Sequence, residues 1–317
     1  MRATRQRLEI RLLGTFDVSV DGRPVGTGGA RRDALLALLA LRRGRPVSVD
    51  ALIDDLWGPD VPAAPRNAVQ HHVARLRAAL GQESIVGSRN GYALADATTD
   101  ALVFEDLLVE ARAALCAGDA RRAAEIATRA LLLWRGPALD GLADTDWVRA
   151  EASRLQELRI DALEERFEAA LELGEHREIV SELHRAIHES PFRERLWRQL
   201  MLALYRSGRA ADALETYQSA RRVHVEQLGL EPGPELRRTQ KAILAHDPGI
   251  AGAAVTPPRR AEPPIPPEGR REELGRVLDE LRENLRRAEE LYERACSAAE
   301  AIVPAAQPAT AFASLAA

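Results

Sequence analysis

Residues 61–82 read VPAAPRNAVQHHVARLRAALGQ and contain no carboxylate, although the chain carries 48 acids against 44 bases. At about 100° per residue, Val69, Val73, Leu76 and Leu80 share one side of a helix and form its core stripe. Asn67, His71, Ala74 and Ala78 lie opposite, flanked by Gln70 and Arg75, while Arg66 and Arg77 sit nearer the boundary, where long stems reach outward. The small residues permit close approach, and Asn, Gln and Arg carry donors and acceptors that match base edges. A carboxylate on this face would repel phosphates. A merely solvated helix face usually mixes both signs of charge, so the pattern points to DNA.

The flanking sequence has a definite order. Residues 8–26, LEIRLLGTFDVSVDGRPVG, alternate apolar and polar around Asp21-Gly22, the signature of a small antiparallel sheet. Residues 30–43, ARRDALLALLALRR, form a strongly apolar helix ended by Gly44 and followed by Pro46. Ser48 is placed to cap a second helix, VDALIDDLW, whose buried stripe is Leu52, Ile53 and Leu56. Gly58, Pro59, Pro62 and Pro65 make a stiff loop into the acid-free helix. After it, SIVGSRNGYALA (84–95) holds two short β-like runs around Ser88-Arg89-Asn90-Gly91. The order is sheet, three helices, hairpin.

Composition restricts the function classes. With 317 residues the chain has room for two or three domains, and 46% hydrophobic with 29% charged residues is the balance of a soluble globular protein. Aromatics are only 4%, and the recurrence of Ala, Leu and Arg favours helix, so the expected class is mainly α with a small β part. Residues 1–95 hold 14 Arg and nine acids, a charge of +5; residues 96–317 hold 30 bases and 39 acids, a charge of −9. A basic first third joined to an acidic remainder suggests an anionic partner for the first part alone. Lys241 is the sole lysine, so no Gly-rich phosphate loop with its Lys is present. Nucleophile elbows and HExxH motifs are likewise missing, which argues against an enzyme. His71 and His72 point about 100° apart with no Cys or acid at ligand spacing, so neither a metal site nor another cofactor is expected. Cys116 and Cys296 fit no disulfide framework. The N-terminus, MRATRQRLEIRLLG, is basic without an apolar core, and no run of about 18 apolar residues occurs. The expected location is the cytoplasm, with no membrane partner.

From Asp100 to Asp247 the sequence is helical in character, with turns at Gly118, Gly136-Pro137, Gly174, Gly208 and Gly229 through Pro234. Gly174 and Gly208 are 34 residues apart, the tetratricopeptide period. Trp197, Leu200, Leu204, Ala213, Tyr217 and Ala220 occupy the large and small positions of that repeat, Ala186 and Pro191 recur one unit earlier, and Ala123, Ala127 and Ala130 mark a weaker unit. Residues 248–268 are Pro-rich and are expected to form an extended linker. Residues 269–302 carry a heptad seam from Leu274 through Leu285 to Ile302, suited either to self-association or to packing back on the chain; residues 303–317 are an Ala-rich tail expected to be disordered.

The phrases LLGTFDVSVDGRPV, ALLALLALRRGRPVSVDALIDDLWG, PRNAVQHHVARLRAAL, WRGPAL, RERLWRQLMLALYRSGRAADAL and LGLEPGPELRRTQKAIL together resemble the Streptomyces antibiotic regulatory protein family of transcriptional activators, over residues 8–247. The resemblance implies an OmpR-like winged helix-turn-helix (1–97) followed by a tetratricopeptide-like bacterial transcriptional activation domain (98–247). It implies binding to direct repeats of double-stranded promoter DNA; a homodimer, at least on DNA, is a separate expectation from the heptad seam of residues 269–302. It also implies recruitment of RNA polymerase through its sigma subunit, nucleoid association, and control of a secondary-metabolite cluster. Residue by residue, it makes 62–80 the recognition helix, with Asn67, Gln70, His71 and Arg75 facing bases and Arg66, His72 and Arg77 on phosphates. Residues 84–95 become the wing, with Ser88, Arg89 and Asn90 at its tip; family wings often show Arg followed by prolines there. The loop 57–65, with Trp57 and Asp60, corresponds to the polymerase-contacting segment. A helical-repeat adaptor that does not read DNA is the alternative.

Overall fold

Among the described residues the chain forms four short strands and ten helices, together with a two-stranded hairpin between the third and fourth helices. The computed structural model describes residues 7–95 and 97–250, and Glu283 in addition. The expectations for the linker beyond Ile250, the heptad helix and the tail lie outside the described residues, as does Cys296.

Strands β1 (Leu8–Arg11), β2 (Asp17–Val20) and β3 (Arg23–Pro24) form the expected antiparallel meander, with Leu8 opposite Val20 and the chain reversing at Asp21 and Gly22. Helices α1 (Ala30–Leu41), α2 (Val49–Trp57) and α3 (Pro65–Leu80) come next, then the hairpin of β4 (Ile85–Ser88) and β5 (Gly91–Leu94). Ser48 caps α2 as expected, its Oγ accepting from the Ala51 amide at 3.2 Å. A sixth strand, β6 (Ala97–Thr99), runs parallel to β1 with Leu8 opposite Ala97, giving the sheet order β3-β2-β1-β6. The sheet is therefore mixed rather than purely antiparallel, and the domain boundary expected after residue 97 falls inside β6.

The remaining helices are α4 (Asp100–Cys116), α5 (Ala120–Leu131), α6 (Asp146–Leu173), α7 (Val180–Glu189), α8 (Glu194–Arg206), α9 (Ala210–Leu228) and α10 (Pro234–Leu244), closed by a 3-10 turn at Pro248–Ile250. Gly174 ends α6 at φ +83, a left-handed cap that suits glycine. Trp197, Leu200, Leu204, Ala213, Tyr217 and Ala220 are all buried where α8 and α9 meet, as the repeat pattern requires. The Trp197 indole also donates to the carbonyl of Pro191 at 2.8 Å.

One apolar core runs from the sheet through α1, α2 and α3 into α4 and α6, joining Leu8, Ile10, Leu36, Leu56 and Leu76 to Phe104, Val148 and Leu155. A second core fills the space among α6 to α10. The first module thus shares an apolar core with the first helices of the helical one.

Candidate nucleic-acid interface

Helix α3 starts with Pro65 in its first turn, where the missing N–H costs nothing, and has no acid there. Val69, Val73, Leu76 and Leu80 are buried against α1, α2 and the hairpin, which turns the opposite face outward. Asn67, Gln70, His71 and Arg75 are all exposed on that face. Among the described residues, none of the four side chains is engaged in a hydrogen bond or ion pair, so their donors and acceptors are available to a ligand.

The other residues expected at the interface are placed differently. Arg66 pairs with Asp50 at 2.5 Å, but both side chains are well exposed, and such a pair is weak enough to exchange for a phosphate. His72 is half-buried and stacks on Trp57, ring centroids 5.9 Å apart and 21° between planes. Burial, reinforced by the charges of Arg32, His71 and Arg31, lowers its pKa, so the imidazole is neutral near pH 7 and brings no charge to a phosphate. Its Nδ1 is buried without a partner among the described residues. Arg77 is half-buried and spends Nε and Nη2 on the Ile85 carbonyl, at 2.9 and 2.7 Å, which removes it from the free cations.

Trp57 requires a correction. It is only 6% exposed, covered by His72 on one side and by the Arg31 guanidinium 5.6 Å from its ring. A side chain in the core cannot form part of a protein-contacting loop. Pro59, Asp60, Val61, Ala63 and Ala64 are the exposed residues of the α2–α3 loop, Asp60 being the charged one among them.

At the hairpin tip Arg89 and Asn90 are fully outward, while the Ser88 hydroxyl is used locally, accepting from the Asn90 amide at 3.1 Å and donating to the Gly91 carbonyl at 3.3 Å. The hairpin is held to the segment before α2 by a reciprocal backbone pair: Val47 N to Tyr92 O at 2.8 Å and Tyr92 N to Val47 O at 2.9 Å. Gly91 makes this approach feasible; at φ +124, a Cβ there would fall 1.8 Å from the Val47 oxygen. Sequence reasoning missed Val47, because a backbone contact leaves no side-chain signal. It also missed Arg31, exposed at the start of α1, whose signal was its place in the double arginine of ARRDALL.

Among the described residues, no group of three or more His, Cys, Asp or Glu is arranged to hold a metal ion. No described helix is long and apolar enough to cross a membrane.

A three-helix unit with an outward third helix, a sheet before it and a hairpin after it defines an OmpR-like winged helix-turn-helix, here joined to a helical-repeat module. The comparisons agree. Residues 27–94 match the family model described as the C-terminal domain of transcriptional regulatory proteins, and residues 99–244 match that of the bacterial transcriptional activator domain. The chain is 40% identical to the regulatory protein AfsR of Streptomyces coelicolor over 247 residues, which is 77% of this chain and 25% of AfsR. It is 36% identical to the regulatory protein DnrI of Streptomyces peucetius, covering 77% of this chain and 94% of DnrI. The structure of Mycobacterium tuberculosis EmbR in complex with a low affinity phosphopeptide superposes with a TM-score of 0.73 at 33% identity, over 77% of this chain and 66% of that one. The chain belongs to the Streptomyces antibiotic regulatory protein family of transcriptional regulators, not to a family of enzymes. It spans about a quarter of the AfsR relatives' length and 65% of the EmbR sequence.

Proposed function

We propose that the chain is a sequence-specific DNA-binding activator that reads direct repeats in double-stranded promoter DNA and recruits RNA polymerase through its sigma subunit. The observation that carries this reading is the face of α3. Four polar side chains, Asn67, Gln70, His71 and Arg75, stand exposed, unbonded and free of neighbouring acids on the helix that this fold presents to the major groove. Asn and Gln suit adenine, Arg suits guanine, and His71 offers a further ring donor. Arg66 at the N-terminal end serves as a phosphate anchor, and Arg89 with Asn90 reaches the flanking groove or backbone. Asp60 and its exposed neighbour Val61 form the polymerase-facing surface in place of Trp57. Family membership supports control of a secondary-metabolite cluster from the promoters around the chain's own gene.

The test is a gel-shift and footprint series on those promoter regions at several salt concentrations. Protection of a repeated sequence, with affinity falling steeply as salt rises, is the expected result. Binding that is absent, or indifferent to sequence, would leave the helical-repeat adaptor as the better account.

A further inference from the structure

We infer that Arg77 is a positioning residue that sets the angle of the wing against the recognition helix, so that base pairs beneath the two are read in one fixed register. This rests on the reading of α3 and the wing as the DNA-contacting pair, and it assigns Arg77 a role that a phosphate contact does not cover.

The geometry distinguishes Arg77 from the other cations of the interface. Arg75 and Arg89 are exposed and unengaged among the described residues, as a phosphate ligand should be. Arg77 instead lies between α3 and the hairpin. Its Nε and Nη2 both donate to the Ile85 carbonyl, at 2.9 and 2.7 Å, and its guanidinium carbon stands 6.0 Å from the centre of the Tyr92 ring. One side chain therefore grips both strands of the hairpin, β4 through a carbonyl and β5 through a ring. The planar fork with two donors aimed at one oxygen fixes direction as well as distance, which a single ammonium cannot do.

A second attachment holds the opposite edge. Tyr92 and Val47 exchange backbone hydrogen bonds at 2.8 and 2.9 Å, so β5 is tied to the chain entering α2 while Arg77 ties the hairpin to α3. A two-stranded hairpin is at best marginally stable in water by itself. Ile85 and Leu94 also seat the base of the hairpin in the core, and the Arg77 bonds restrict the swing that these attachments leave to the tip. Arg89 and Asn90 at the tip then meet DNA at a set distance from Asn67, Gln70, His71 and Arg75. Fixing that distance in advance removes an ordering cost on binding and penalises sites whose flanking step is displaced.

Two measurements on the full chain decide the matter, using Arg77→Met and Arg77→Lys. In the free protein, Arg77→Met is expected to speed amide exchange of residues 85–94 by on the order of tenfold, with exchange in α3 unchanged. Arg77→Lys, which keeps one ammonium group in place of the planar fork, restores part of the protection and carries the same test if the Met variant fails to fold. On DNA, hydroxyl-radical footprints of Arg77→Met should lose the protection contributed by the wing while base preferences under α3 persist. Unchanged exchange of the hairpin would overturn the inference. So would an equal loss of affinity on every duplex with a salt slope smaller by about one, the behaviour of a phosphate contact. If the wild-type chain protects no DNA, the proposed function fails, while the exchange measurement still decides what Arg77 does to the wing.

Discussion

At the scale of single residues, burial separates side chains that a sequence pattern treats alike. His71 and His72 are neighbours, yet one faces outward and the other stacks on Trp57. Burial and the nearby Arg32, His71 and Arg31 charges hold the His72 pKa below its ordinary value, whereas the unfolded chain restores that value. As pH falls below about 6.5, the unfolded state therefore takes up a proton that the folded state refuses. Stability is expected to decline through the folded pKa, and His72→Gln should flatten that decline in denaturant titrations between pH 5 and pH 7. Identical slopes for the two proteins would show that His72 does not titrate differently on folding. Sequence periodicity exposed the core stripe of α3 because Val69, Val73, Leu76 and Leu80 repeat in helical steps. Trp57, four residues after Ile53, falls on the buried side of α2 by the same periodicity; only the family correspondence of residues 57–65 groups it with the exposed loop. Arg77 was not legible: its carbonyl and ring partners depend on how β4 and β5 return against α3.

At the scale of elements, the α2–α3 loop and the wing are two exposed features attached to one rigid helix. The loop begins at Gly58 and carries Asp60 and Val61 into solvent, with prolines at 59, 62 and 65 limiting its freedom. Asp60→Ala is expected to leave DNA affinity intact and to lower transcription in a purified system. Loss of both, or of neither, would move the polymerase contact elsewhere. Strand β6 escaped detection because three residues, Ala97 to Thr99, give no period-two pattern, and their partner β1 lies almost ninety positions earlier. The ionic cluster between α6 and α8 was hidden for a related reason. Arg195 Nη1 reaches Glu165 at 2.9 Å and Arg198 reaches Glu168 at 2.7 Å, while Arg112 of α4 reaches Asp161 at 2.7 Å. These partners come from three separate helices. Burial raises the Glu164 carboxyl within this cluster, despite the opposing Arg193 and Arg195. By contrast, the 34-residue spacing of Gly174 and Gly208 repeats in one continuous stretch, and the burial of the α8–α9 pair follows it.

At the scale of the molecule, residues 7–250 are held together by a polar clamp as well as by a shared core. The Asp100 carboxylate, at the start of α4, accepts from the amides of Leu12 at 2.6 Å and Leu13 at 3.2 Å, and from Arg135 at 3.3 Å. Leu139 and Arg135 return backbone bonds to the carbonyls of Leu12 and Leu13, both at 2.8 Å. Leu12 and Leu13 are themselves buried, so their amides have no recourse to water. Asp100→Ala should lower stability by about 1–3 kcal/mol for the unsatisfied donors, and both modules should still unfold in one transition. Two separate transitions in the wild-type protein would contradict a single cooperative body. This junction also means that whatever the helical module binds is mechanically connected to the orientation of α3.

The central claim is that α3 reads bases, and the affinity ratio between a footprinted repeat and a scrambled duplex tests it most directly. Measured at matched salt for the wild type and Arg75→Ala, the variant is expected to lose about 1–3 kcal/mol on the repeat and little on the scrambled duplex, so the ratio collapses. An equal loss on both duplexes, with the ratio preserved, would contradict the account by reducing Arg75 to a backbone anchor and leaving α3 without its reader.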